Sequence, residues 1–233
     1  MNFDIPIELS AYLSELDIFI VEKIKPLEEQ DDNVRFFDHR REYSRTDWEL
    51  GGRPSKEWEA LLAKTRRIAD EAGHYRYAFP REHGGHDGTN LGMAIIREHL
   101  ASKGLGLHCD LQNEHSIVAN NIALLLMLNY GSEEQKATWV EKLAAGDAMF
   151  AFGITEPKHG SDATHMETVA HKTSNGWIIQ GEKTWNSGIH SAPADLIFAR
   201  TSGKAGDADG ITAFLVPTDS AGFKLEELLW TFN

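Results

Sequence analysis

Cysteine is almost missing from this chain: Cys109 is the one copy in 233 residues. No internal disulfide can staple the fold, a usage that fits a reducing compartment. Long apolar runs are missing too. No stretch approaches the ~20 apolar residues that a spanning helix needs, and the opening MNFDIPIELS has neither the basic segment nor the apolar core of a secretory leader. We therefore expect no membrane span, and a location in the cytoplasm or, in a eukaryote, an organelle matrix. Basic residues are in deficit, with 23 Lys and Arg against 36 Asp and Glu, a formal charge of -13. That charge repels phosphate backbones, and without a polybasic patch it excludes a nucleic-acid function. Metal-ligand spacing is also lacking. His83 and His86 stand beside Glu82 and Asp87, and His108 precedes Cys109 and Asp110. Neither group matches H-E-x-x-H or a paired C-x-x-C, so these read as solvated loop residues and no metal is expected.

What is present is ordinary for a folded globular protein, with 41% hydrophobic and 25% charged residues. Leu9, Leu13, Leu16, Ile20 and Ile24 recur at spacings of four and three, which predicts a helix ending near Pro26. Glu28 to Arg53 shows no steady period and reads as a surface connection. Pro54-Ser55 opens a second helix with Trp58, Leu61, Leu62, Thr65, Ile68, Ala69 and Ala72 on one face, and Gly73 suits the left-handed residue after it. Asn90 is placed to cap a third helix through Met93, Ile96 and Leu100. Gln112 to Leu128 predicts a largely buried helix stopped by Gly131, and Ser132 with Gln135 forms a capping box for a helix that ends at Gly146.

Beyond Gly146 the apolar period falls from about 3.6 to 2. Strands are expected at Phe150 to Ile154, Thr168 to Thr173, Trp177 to Gln180, Asp195 to Thr201 and Ile211 to Pro217, with Ser174-Asn175-Gly176 as a hairpin turn. The predicted class is α+β: an α-helical domain over residues 1–147 and a β-domain over 148–233.

One segment of the β-domain carries chemistry, FGITEPKHGSDATHMETVAHKTSNGWIIQGEKTWNSG from Phe152 to Gly188. A glycine followed by serine beyond a strand end can offer backbone amides and a hydroxyl to a phosphate. Taken singly, Gly160-Ser161-Asp162 is a turn, Trp185 is a core residue and Thr155 bonds a neighbouring strand. Their combination resembles the middle β-domain of the acyl-CoA dehydrogenase family, with its aromatic-x-x-T-E-P-x-x-G-S-D and N-G-x-K-x-W-I-T patterns. Upstream, FPREHGG is similar to the family's P-x-x-x-G-G loop, and YGSEEQKATWVEKLAAGDAMFAFGITEP to its G-[ST]-x-x-Q-K helix. The likeness therefore covers most of the chain from about Phe79.

This resemblance implies a flavoenzyme with an antiparallel, barrel-like middle β-domain that holds FAD against a C-terminal helical bundle. Its members desaturate an acyl-CoA thioester between Cα and Cβ, pass hydride to FAD N5 and electrons to an electron-transfer flavoprotein, and form homodimers or homotetramers. Carried over, Phe152, Ile154 and Thr155 line the flavin ring, and Gly160 and Ser161 meet the cofactor or the pantetheine phosphate. Trp185 lies against the ring with the Ser187 hydroxyl near N5, and Thr201 either approaches the CoA phosphate or is an exposed strand end. Two positions depart from the pattern: Asn186 stands where isoleucine is usual and Ser187 where threonine is usual. The usual base is a glutamate of the helical bundle, and since the chain stops at FKLEELLWTFN, where the β-domain should end, no base is named. Glu156, next to Thr155, reads as a structural residue of the Pro157 turn. A longer chain, a short gene product, a separate domain and a subunit completed by a partner all stay open. So do two other readings: an FAD or acyl-CoA binder without turnover, and an oxidase of the same fold that returns electrons to O₂.

Overall fold

The computed structural model describes residues 4–113 and 120–229. The chain divides into two compact units, Met1–Asp147 and Ala148–Asn233. The α+β class holds, with helices in the first unit and a sheet in the second.

In the helical unit, α1 (Ile7–Phe19) buries Leu9, Leu13 and Leu16, as their spacing requires. It does not stop at Pro26. A π-helical turn over Ile20–Ile24 buries Ile20 and Ile24 and leads into α2 (Lys25–Glu29), whose first turn contains Pro26. The helix is continuous here, with Lys25 N–H bonded back to Ile20 O, and the π turn directly before Pro26 is where the ladder shifts to admit a residue without an N–H. The expected surface connection also proves more ordered. It forms 3₁₀ turns at Gln30–Phe37 and His39–Ser44, then a two-residue antiparallel pairing of β1 (Thr46–Asp47) with β2 (Arg53–Pro54). Phe36 is buried, its ring 5.2 Å from that of Trp58, and the Arg45 guanidinium lies 4.5 Å from the Trp58 ring. Tight turns bring these aromatics inward without any helical period for the sequence to display.

α3 (Lys56–Glu71) is capped by Ser55, buries Leu61, Thr65 and Ala69, and is followed by Gly73 at φ +81°. α4 (Asn90–Ala101) is capped by Thr89, one residue before the expected Asn90, through a 3.0 Å bond from the Gly92 amide. The next predicted helix is described as α5 (Asn120–Tyr130), and residues 114–119 of the expected span lie outside the described residues. α6 (Glu133–Ala145) has both bonds of the Ser132–Gln135 capping box and ends on Gly146 at φ +77°. Within the core of this unit Glu28 accepts from the Leu107 amide at 2.7 Å and from Lys25 Nζ at 2.6 Å, with Nδ1 of the fully buried His108 at 3.8 Å.

The second unit is a five-stranded sheet of β3 (Ala151–Gly153), β4 (Val169–Thr173), β5 (Gly176–Gln180), β6 (Ala194–Arg200) and β7 (Ile211–Pro217). β6 is its spine. β7 pairs antiparallel along all of one edge of β6, while β3 pairs parallel at Asp195 to Ile197 and β4 joins parallel at Arg200. β5 returns antiparallel on β4. The sheet is thus mixed where an antiparallel one was expected, because β3 enters alongside β6. Among the described residues no ladder joins β5 to β7. A flat sheet would hold these strands about 14 Å apart. Instead the Trp177 and Phe214 rings meet edge to face at 5.3 Å, so the sheet curls strongly without closing.

Candidate functional site

The T-E-P turn is built on Glu156. Strand β3 runs on through Ile154 and Thr155, and Pro157 follows the buried Glu156 in a reverse turn closed by backbone pairing of Glu156 with His159. The Glu156 carboxylate accepts from the amides of Glu167 at 2.5 Å and Thr168 at 2.9 Å, and from Lys183 Nζ at 2.8 Å. Burial on its own would raise the pKa of this acid. The donors of Lys183, Thr168 and Glu167 outweigh it and hold the pKa down at about 2. Glu156 therefore acts as a structural anion, and its oxygens are occupied.

The same contacts lay the 183–187 segment along the strand. Lys183 Nζ also donates to the Ile154 carbonyl at 3.1 Å, and the Thr184 amide donates to the Thr155 carbonyl at 2.9 Å. These two bonds set Lys183 and Thr184, the residues just before Trp185, against Ile154 and Thr155. Trp185 is unusual in two ways. Its φ is +63°, a left-handed conformation that costs an L-residue about 1–2 kcal/mol, and its side chain is 61% exposed. A bulky residue held in that region against its preference marks a candidate functional position. Its indole is presented outward and is no core residue.

The next residue enters a polar pair with a buried carboxylate. Asn186 Nδ2 donates to Asp195 Oδ2 at 2.7 Å, and Asp195, at the start of β6, is 2% exposed. Burial raises the Asp195 pKa to about 6, against the lowering effects of Asn186, Lys183 and the Gly153 amide. Gly153 leaves room here: a Cβ at that position would stand 3.0 Å from both Asn186 Nδ2 and Asp195 Oδ2, a tight contact that the pair could meet only by shifting. Sequence reasoning missed Lys183 and Asp195. Lys183 looks like any polar loop residue, and only the acidic start of the DLIFART strand hinted at Asp195.

The other expected residues are more dispersed. Phe152 packs its ring 5.1 Å from Phe198, half-buried on the sheet. Gly160 and Ser161 are exposed in the loop after the turn, and a Cβ at Gly160 would meet no atom within 4 Å. The protein itself therefore does not demand glycine at 160. The Thr201 hydroxyl lies 3.0 Å from the Gly210 carbonyl and 3.1 Å from the Thr212 hydroxyl, beyond the opposite end of β6 from Asp195. Among the described residues no group of three or more His, Cys, Asp or Glu side chains could hold a metal ion.

Family models for the acyl-CoA dehydrogenase N-terminal domain and middle domain match residues 11–147 and 151–231. A glutaryl-CoA dehydrogenase of Desulfococcus multivorans is 31% identical over 231 residues, which is 98% of this chain and 52% of that protein. The human mitochondrial short-chain specific acyl-CoA dehydrogenase is 36% identical over 146 residues, 63% of this chain and 34% of that protein. The structure of a glutaryl-CoA dehydrogenase from Mycobacterium smegmatis in complex with FADH2 matches with a TM-score of 0.62 at 25% identity, covering 94% of this chain and 48% of that one. The chain spans about half the length of the first of these relatives. A helical unit followed by a curled sheet is the arrangement that the two family models describe in the same order. The chain belongs to the acyl-CoA dehydrogenase family.

Proposed function

We propose that the sheet unit carries the FAD-facing surface of an acyl-CoA dehydrogenase. The observation that supports this most is Trp185: an exposed indole in a left-handed backbone conformation, beside Thr155. A flat apolar ring with an open face suits one side of an isoalloxazine, and stacking there adds about 0.5–1.5 kcal/mol beyond burial. Thr155 and Ser187 offer hydroxyls for the polar edge of the ring, and Phe152 and Ile154 offer apolar area next to it. Gly160 and Ser161 present an open backbone and a hydroxyl to a phosphate, and Thr201 a second, more distant hydroxyl. Bound FAD supplies the two-electron acceptor for desaturation of an acyl-CoA thioester between Cα and Cβ.

The chain's own part is to hold and orient. Hydrogen-bond donors fixed before reaction stabilise developing charge without reorganising. A general base must also reach the α-proton. Glu156 is unfit for that task, since both carboxylate oxygens are engaged and its pKa is held at about 2. The names of the relatives suggest a short-chain or dicarboxylic acyl-CoA as substrate. An electron-transfer flavoprotein as acceptor and a homodimer or homotetramer as assembly complete the reading.

Titration of the protein with FAD tests it. Quenching of flavin fluorescence is expected on binding, with affinity at least about tenfold weaker in Trp185→Ala, since stacking and burial are lost together. Because no base is assigned among these residues, bleaching of the flavin by glutaryl-CoA or butyryl-CoA is expected only when a segment that carries one is also present. A protein that takes up no FAD overturns the proposal.

A further inference from the structure

We propose that Asn186 is a positioning residue: by tying itself to the buried Asp195 carboxylate it turns the Trp185 indole and the Ser187 hydroxyl outward together. This inference rests on the flavin reading for its purpose, while the latch itself stands on geometry. In extended backbone successive side chains point to opposite sides. Exposure follows that rule here, with Trp185 and Ser187 exposed on either side of a half-buried Asn186. Pulling residue 186 inward therefore sets the direction of both neighbours.

The anchor is rigid. Asp195 sits in β6 opposite Ala151 of β3 on one edge and Val216 of β7 on the other, so its backbone is held from both sides. Its Oδ1 and the Asn186 Oδ1 are buried without a hydrogen-bond partner. The bond at 2.7 Å is accordingly the single side-chain hydrogen bond between this loop and the carboxylate. Gly153 lets β3 pass close to the pair, where a Cβ would press on both side chains. Asn186 also replaces the isoleucine usual in the resembling pattern. An apolar residue at this place seats itself by packing, which is non-directional. A hydrogen bond to a fixed buried oxygen adds direction, and a residue held at φ +63° next to it needs such a constraint to stay put.

The test uses the protein labelled with 5-fluorotryptophan, whose Trp185 resonance is the one missing from Trp185→Phe. In Asn186→Ala, and in Asn186→Ser, whose side chain is too short to reach Asp195, the Trp185 ¹⁹F resonance should shift and broaden while the other tryptophan resonances hold. FAD affinity should fall about tenfold, the scale of one bond to a charged group. Asp195→Asn keeps an acceptor of the same shape and should leave both readouts within about twofold of wild type. A Trp185 resonance unmoved in a folded Asn186→Ala or Asn186→Ser protein overturns the proposal. Because the fluorine readout is taken without cofactor, a wild-type protein that binds no FAD sinks the flavin reading and leaves the latch to be judged on its own.

Discussion

At the scale of single residues, the sheet unit is governed by two buried carboxylates with opposite behaviour. Glu156 is stabilised as an anion, and removing its partner leaves a buried charge short of a donor. Lys183→Met should therefore destabilise the protein by about 3–5 kcal/mol, read as a lower urea midpoint. Since the folded pKa of Glu156 lies below its ordinary 4.5, its contribution is complete above that pH and is lost as pH falls towards about 2. Asp195 has the reverse sign. Its folded pKa of about 6 stands above the ordinary 3.8, so its burial costs stability at neutral pH and the cost disappears as pH falls from about 6 to 3.8. Asp195→Asn should thus be more stable than wild type at pH 8 and equal to it near pH 4, by urea unfolding at each pH. An unchanged difference between the two pH values would refute the assignment. Trp185 and Thr155 were legible because the T-E-P and W-x-S words sit in contiguous sequence. Lys183 and Asp195 were not, because their roles come from partners 27 and 9 residues away that only the folded sheet brings near.

Among the elements, those with local causes were read well. The Ser132–Gln135 box, the glycines after α3 and α6, and the strand β7 over Ile211–Pro217 all follow from neighbouring residues. Errors arose where tertiary packing overrode local grammar. Pro26 reads as a helix end, yet the π turn before it carries the helix on into α2, which buries Leu27. Phe36 and Phe37 lack a period because they sit on 3₁₀ turns, yet they clasp Trp58. The parallel entry of β3 has no signature, since pairing direction depends on where the chain returns. The capping box also yields a prediction. Ser132→Ala removes the acceptor of the Gln135 amide and should cost about 1 kcal/mol, seen as a lower melting temperature of the helical signal at 222 nm.

For the whole molecule, the two units should fail at opposite ends of the pH scale. In the helical unit, the neighbouring Cys109 and the Glu28 carboxylate, opposed by burial, lift the His108 pKa to about 9. A base raised above its ordinary 6.5 contributes stability that is complete below that pH and lost as pH rises through about 9. Helical ellipticity should therefore melt at lower temperature in alkali, and His108→Gln should remove that pH dependence. Acid should instead loosen the sheet through Glu156, reported by the emission of Trp177 and Trp185. An alkaline loss that persists in His108→Gln would contradict this division. The edge-to-face meeting of Trp177 and Phe214 carries a last consequence. It is a seam of two rings where a barrel would have a ladder, and among the described residues no strand pairs with the outer edge of β5 or of β7. Trp177→Ala would remove the ring contact that draws these two edges together and so open them further to strand exchange between molecules, turning a local loss of packing into a tendency to polymerise.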